Sequence, residues 1–277
     1  MTVSRRIVFS AASIATLTAA ALAAPALAQI AAPLAPGTST LDTVTKRGTL
    51  IVGVSLGTPP FGITNTEMEP DGYDVSLAKL LARELGVKPQ IVDTVAASRI
   101  PSLTSGKVDI VISSFSITPE RAKAIAFSNC VYVDQQVAIG PKATALSNLA
   151  ELKGQRIGVT RSTTNDIALT KRAPEGTNIQ RYDDDASTNQ ALLAGQVQAI
   201  VTSGALAAAI RERSPALALE NKFVLSEAPM AIGLRRGDPD WQHWLNTCLF
   251  MLWTNKEIQA LQQKWMGVVN TELPRFG

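Results

Sequence analysis

The chain has 277 residues, with 26 Lys plus Arg, 23 Asp plus Glu, one histidine and two cysteines. Two cysteines in this length exclude a disulfide framework, and an apolar content of 46% is ample for a core. The formal charge of +3 shrinks once the N-terminal leader is removed, so it carries no message about nucleic acid, and no basic patch interleaved with aromatics is present.

The leader comes first. Arg5 and Arg6 precede an uncharged run from Ile7 to Leu27, and Ala26-Leu27-Ala28 closes it with small residues. That order is a secretory signal peptide cut after Ala28. The many Ser, Thr and Ala residues of the run, with Pro25 and Pro33, make a poor membrane anchor. No cysteine near the cut offers a lipid attachment point. Cleavage leaves 24 basic and 23 acidic residues. Residues 29–40, rich in Ala and Pro, are expected to be a mobile tether.

Ordered structure is expected from about Leu41. Thr49 to Val54 predicts a buried strand, and Gly57, Pro59 and Pro60 predict a turn after it. In Tyr73 to Leu85, Val75, Ala78 and Leu81-Ala82 recur at helical spacing, with Asp74 as N-cap and Gly86 as stop. Gln90 to Val95 predicts a strand, Arg99 to Ser105 a short helix, and Val108 to Ile112 another strand. Thr118-Pro119-Glu120 opens a helix with a capping threonine and proline at its first position. Gln136 to Ile139 and Arg156 to Thr160 predict strands, and Asn165 to Arg172 a helix. A short strand at Asn178 to Arg181, a helix at Ser187 to Ala194 and a strand at Ala199 to Thr202 follow. The span from Trp241 to Trp265, rich in Leu and Trp, is expected to be helical. Strands alternating with helices imply α/β architecture with parallel sheets.

One internal echo stands out. Leu103-Thr-Ser-Gly-Lys-Val-Asp-Ile-Val is answered by Leu192-Leu-Ala-Gly-Gln-Val-Gln-Ala-Ile, with Leu, Gly and Val at the same offsets. Each copy predicts a helix end, a glycine turn and a buried strand, as two similar lobes would require.

Enzymatic signatures are sparse. His243, between Trp241 and Trp244, reads as a surface or packing residue. CxxC, HExxH, P-loop and GxGxxG patterns are absent, which leaves metal and nucleotide cofactors without a site in the sequence. Gly53-Val54-Ser55-Leu56-Gly57 fits G-x-S-x-G, but a nucleophile elbow needs a helix next, and Thr58-Pro59-Pro60 forbids one there. No catalytic residue is assigned.

Asp109-Ile-Val-Ile-Ser-Ser-Phe-Ser-Ile-Thr-Pro-Glu-Arg121 concentrates the remaining chemistry. A buried strand ends at Ser113, and a serine-rich loop leads to a helix N-terminus. Open α/β sheets bind ligands beyond the carboxyl ends of their strands. Free N–H groups at the helix start and the guanidinium of Arg121 suit a carboxylate. Hydroxyls of Ser114 and Ser116 complete such a cradle. An ordinary capped loop with a solvated arginine fits the same pattern.

The sequence also resembles the amino-acid-binding periplasmic proteins of ABC importers, the polar amino acid group. The resemblance runs from about Thr40 to Gly267. It is carried by Gly48-Thr-Leu-Ile-Val-Gly-Val, Pro60-Phe61, Gly72-Tyr-Asp-Val-Ser-Leu-Ala, Arg99-Ile-Pro-Ser-Leu, Gly106-Lys-Val-Asp, Ser116-Ile-Thr-Pro-Glu-Arg121 and Phe127-Ser128. It implies the type II two-lobed periplasmic binding protein fold. Two crossing hinge strands, near Val131 to Val137 and Val224 to Ile232, would join the lobes, with the ligand cleft between them. Residues 41–132 plus 230–277 would form lobe 1, and 133–229 lobe 2. Cys130 and Cys248 would then share lobe 1, either paired or as buried thiols.

On this resemblance Arg121 would clamp a ligand carboxylate, assisted by Ser113, Ser114 and Ser116. Thr163 and Thr164 would close onto it from a second helix N-terminus. Ser203 occupies the place where such proteins carry the aspartate that accepts the ligand ammonium. Ser55, Thr58 and Ala96 occupy the side-chain end, and Phe61 is a wall. A cationic ligand side chain is therefore not expected; Asp183-Asp184-Asp185 could supply a carboxylate but reads first as a solvated helix lead-in. The implied partners are a small amino acid or carboxylate ligand and an inner-membrane ABC permease, with the protein monomeric in the periplasm. Two alternatives stay open: an enzyme resembling cyclohexadienyl dehydratase on the same fold, and a ligand sensor for a membrane receptor.

Overall fold

The structure is a computed structural model, and it describes residues 39–274. The expected leader, 1–28, and nearly all of the expected tether lie outside the described residues. In chain order the elements are α1 (Thr40–Arg47), β1 (Thr49–Val54), β2 (Ile63–Thr64), β3 (Pro70–Asp71), α2 (Tyr73–Leu85), β4 (Lys88–Asp93), α3 (Arg99–Thr104) and β5 (Ile110–Val111). Then come α4 (Pro119–Ala122), β6 (Ala126–Pro141), β7 (Arg156–Thr160), α5 (Thr164–Arg172), β8 (Asn178–Tyr182) and α6 (Asp185–Leu193). The chain continues through β9 (Ala199–Ser203), α7 (Gly204–Arg213), β10 (Leu219–Leu234), α8 (Pro239–Thr254) and α9 (Glu257–Met266).

Eight strands form one sheet in the order β4-β1-β5-β10-β6-β9-β7-β8, giving a two-lobed α/β architecture. β1 pairs in parallel with β4 and β5, and β7 in parallel with β8 and β9. In each set the first strand lies between the second and the third, so each half has a switch point between its first and third strands. The halves meet through β6 and β10, two antiparallel strands of 16 residues each. β10 touches β5 at its far end, Gly233 opposite Val111, while β6 touches β9 near its own far end, Ile139 opposite Ile200. Shifts of register at Val224/Ser226 and Met230/Ala231 interrupt the ribbon, and such bulges bend a strand pair.

Strand alternation sorts the core onto two faces of each half. Leu50, Val52 and Val54 of β1 pack with Val75 and Leu81 of α2 and with Trp241 and Leu245 of α8. Val111 of β5 packs instead with Leu103, Phe115 and Phe127. In the other half Val137 and Ile139 join Ile200, while Ala138 joins Ala199 and Val201 on the opposite face. Full burial of each large aliphatic side chain contributes about 1.5–3 kcal/mol, so a charge at Val52 would unseat α2.

The internal echo has a structural meaning. Its two copies are α3–turn–β5 and α6–turn–β9, the third strand of each half with the helix before it. Gly106 and Gly195 adopt φ of +75° and +68°, and a Cβ at either would meet nothing within 4 Å. Glycine is needed there for left-handed backbone and not for space.

One expectation needs correction, and two are refined. Asp74 is not the N-cap of α2: Gly72 holds that place, and Asp74 is buried in the first turn. The C-terminal span is two helices, because Lys256 adopts a left-handed φ of 66° between α8 and α9. The helix opening at Thr118 is a single turn of four residues. Helices α1 and α7 also escaped the sequence reading.

Candidate ligand site

Loops at the carboxyl ends of β1, β5, β7 and β9 converge on one cavity. Thr58 follows β1, Ser114 and Ser116 follow β5, and Thr163, Thr164 and Asn165 follow β7. Ser203, at the end of β9, and Gln136, on β6, complete much of the wall. Six expected residues therefore come together: Arg121, Ser114, Ser116, Thr163, Thr164 and Ser203.

Three others stand apart from this lining. Phe61 packs its ring against Tyr73 and Tyr132, at centroid distances of 6.5 and 6.0 Å, and is 1% exposed. Ser55 and Ser113 form a layer beneath the cavity, with their hydroxyl oxygens 2.6 Å apart. Ser113 accepts from Arg99 Nε at 3.2 Å, so it positions an arginine. Ser55 also lines an adjoining cavity that shares Thr58 and Asp185 with the first.

Arg121 is buried and donates through Nη1 to the carbonyl of Ser116 at 2.7 Å, and through Nη2 to that of Ser162 at 3.1 Å. A guanidinium has five donors, so two such bonds leave donors for a ligand. Its carbon lies 4.8 Å from the centre of the Phe115 ring, and that of Arg99 lies 5.5 Å from the same centre. Burial, and next the charge of Arg99, lowers the Arg121 pKa to about 10. Burial also lowers that of Arg99, opposed by Asp185 and Asp74. Two cationic groups are thus held in one desolvated site, which favours an anionic partner.

The expected first helix N-terminus does not face the cavity. Pro119 has no N–H, and Thr118 Oγ1 takes the Arg121 N–H at 3.1 Å. Thr118 and Pro119 line a separate surface groove with Gln242. The second does face it: Thr163 caps α5, accepting from Asp166 N at 3.1 Å while donating to the carbonyl of Thr160 at 2.6 Å.

Hydroxyls tie the loops of the two halves together. Ser116 and Thr164 hydroxyls lie 3.1 Å apart, and Gln136 Nε2 donates to Thr164 at 2.6 Å. Thr58 Oγ1 donates to Asp185 Oδ2 at 2.6 Å. Ser114 and Ser162 both adopt left-handed backbone, at φ of 40° and 63°. Such non-glycine conformations cost about 1–3 kcal/mol and cluster at functional sites.

Sequence reasoning missed Arg99 and Asp74, and it set Asp185 aside with its two neighbours as a solvated lead-in. The three aspartates at 183–185 have separate fates. Asp183 pairs with Arg161 in solvent, Asp184 caps α6, and Asp185 lines the cavity. Asp74 accepts the Ser114 N–H at 2.8 Å. Burial raises its pKa to about 7, against that bond and the charge of Arg99.

Residues 50–268 match the bacterial extracellular solute-binding proteins, family 3. The chain belongs to this family. It is 29% identical over 230 residues to the L-cystine-binding protein TcyJ of Escherichia coli, covering 82% of this chain and 86% of that one. It is 32% identical over 203 residues to a glutamine-binding protein of Geobacillus stearothermophilus, covering 71% and 76%. Among solved structures, the ancestral amino acid-binding protein AncCDT-1, a precursor of cyclohexadienyl dehydratase, superimposes with a TM-score of 0.77 at 33% identity. That match covers 82% of this chain and all of the other. A solute-binding role for this family 3 protein follows from fold, site and relatives together.

Proposed function

We propose that the protein captures a neutral or acidic amino acid, or a close carboxylate analogue, in the periplasm and delivers it to an ABC permease. The observation that carries this reading is the paired buried guanidiniums of Arg99 and Arg121 in a cavity whose other polar lining is hydroxyls, amides and the single carboxylate of Asp185. Arg121 receives the α-carboxylate, with Ser114, Ser116, Thr163 and Thr164 around it. Arg99, seated on Ser113, faces the side-chain end and suits a carbonyl or carboxylate there. The cystine and glutamine specificities of relatives fit such a bipolar ligand.

Residues 41–132 with 230–277 act as one lobe and 133–229 as the other, the boundary falling within β6 and β10. Hinge motion about that ribbon opens the cleft, and the hydroxyl contacts described above close it. The protein works as a monomer, and no bond in the ligand changes. A dehydratase would need an acid free to protonate a leaving hydroxyl, whereas the lining carboxylate of Asp185 already accepts two hydroxyl protons.

A thermal-shift screen of the mature protein against amino acids, their keto acids and small carboxylates tests this reading. The expected result is a raised Tm with one or a few neutral or acidic amino acids. Mass spectrometry should recover the ligand unchanged. A response confined to lysine, arginine or histidine would overturn the electrostatic argument.

A further inference from the structure

An amino acid entering a closed cleft brings an ammonium that loses its water. Such a group needs an anion, since hydroxyls alone do not balance a buried charge. Ser203 supplies only a hydroxyl, and its oxygen already caps α7 by accepting from Leu206 N at 3.1 Å. Among the described residues that line the cavity, Asp185 supplies the carboxylate. Two neighbouring acids are committed elsewhere. Asp74 holds the Ser114 amide at 2.8 Å, and Asp134 holds those of Gln135 and Ala205 at 2.7 and 3.3 Å.

Resting on the amino-acid reading above, we infer that Asp185 is the residue that receives the ligand ammonium, in the role that Ser203 cannot fill. Its carboxylate is already oriented: Oδ1 accepts from Thr160 Oγ1 and Oδ2 from Thr58 Oγ1, each at 2.6 Å. A carboxylate offers about four lone-pair positions, so each oxygen keeps one for an N–H donor. Thr160 ends β7, and β7 runs beside β9 with Val159 opposite Val201. The carboxylate is thus held at the end of β7, the strand beside β9. Asp185 and Arg121 line the same cavity, so a ligand held there can meet both. The support is rigid, because Asp184 and Ser187 close a capping box at the start of α6. Because Thr58 lies in the other half of the sheet, an ammonium on Asp185 would also strengthen the contact that shuts the cleft.

Calorimetry on the full mature chain tests this with pairs that differ only in the amine: L-glutamate and glutarate, L-glutamine and glutaramate, L-arginine and δ-guanidinovalerate. The wild type should prefer the amino acid of any pair it binds. Asp185→Asn should cut amino-acid affinity by about thirtyfold or more while changing that of the deaminated acid by less than about threefold. A preference retained in Asp185→Asn would overturn the assignment. So would an equal fall for both members of a pair, which would mean that Asp185 only ties the two halves together. A wild-type protein that binds deaminated acids but no L-amino acid would overturn the amino-acid reading itself, an outcome distinct from either.

Discussion

Arg121, on α4, donates to the carbonyl oxygen of Ser162, beyond the end of β7, at 3.1 Å. The same guanidinium holds the carbonyl of Ser116 at 2.7 Å, so one side chain joins the two ligand loops. Both loops carry a serine in left-handed backbone, which the joined guanidinium helps to hold in place. On the proposed function, ligand binding and closure would share this residue.

Arg121→Ala removes the cation from a buried anion site and should weaken ligand binding by about 3–5 kcal/mol, more than a hundredfold. Arg121→Lys should recover little, because an ammonium has no planar fork to span two carbonyls and a carboxylate. Calorimetry with the ligand found by screening reads both. Affinity of Arg121→Ala within about threefold of wild type would refute the assignment.

How much of this was legible in the sequence follows from which contacts are local. Thr118-Pro119-Glu-Arg121 places an arginine one turn after a cap, and the strand ending at Ser113 announces a loop, so Arg121 was found. Asp185 was not singled out, because three consecutive aspartates before a helix look like a solvated cap. Only the approach of Thr58 and Thr160, 127 and 25 residues away in sequence, separates the third from its neighbours. Arg99 lay inside a recognised segment but read as one turn of helix; Ser113 and Phe115, far along the chain, turn it into a site residue. The rule that ligands gather beyond strand ends, applied to β8 as well as to its neighbours, would have drawn attention to 183–185.

Ser203→Asp inserts a second carboxylate beside Asp134. Burial already raises the pKa of Asp134, while Gln135, the Ser203 side chain, Ala205 and Gly204 lower it by hydrogen bonding. A new acid replaces one of those donors with a like charge, pushing the Asp134 pKa further up. A raised folded-state pKa means stability present at low pH and lost as pH rises. The variant should therefore be penalised more at pH 8 than at pH 5, relative to wild type. Urea unfolding at the two pH values measures it, and an equal penalty at both would contradict the argument.

Cys130 and Cys248 are both buried free thiols, on β6 and α8. Burial raises the pKa of Cys130, and burial followed by the charge of Glu84 raises that of Cys248 to about 12. Thiols kept protonated and out of water react slowly. Iodoacetamide should leave both unlabelled in the native protein and modify both in guanidinium, as read by intact mass. A mass two protons lighter with no labelling in guanidinium would reveal a disulfide instead.

Asp74 gives the sharpest pH dependence. Its carboxyl is 3% exposed, and burial raises its pKa from 3.8 to about 7. Well below the unfolded value of 3.8 the group is protonated in both folded and unfolded chains, and its contribution does not change with pH. Between about pH 4 and pH 7 the unfolded chain releases the proton and the folded chain retains it, so stability falls as pH rises. Above that window the loss is complete, on the order of a few kcal/mol. Asp74→Asn keeps an oxygen to accept the Ser114 N–H and carries no charge. The stability of the wild type minus that of the variant should therefore decline from pH 4 to pH 7 and level off above. Denaturant melts of both proteins across that range provide the measurement. A difference that stays flat would show that Asp74 ionises freely in the folded protein, and that Arg99 compensates its charge more fully than burial penalises it.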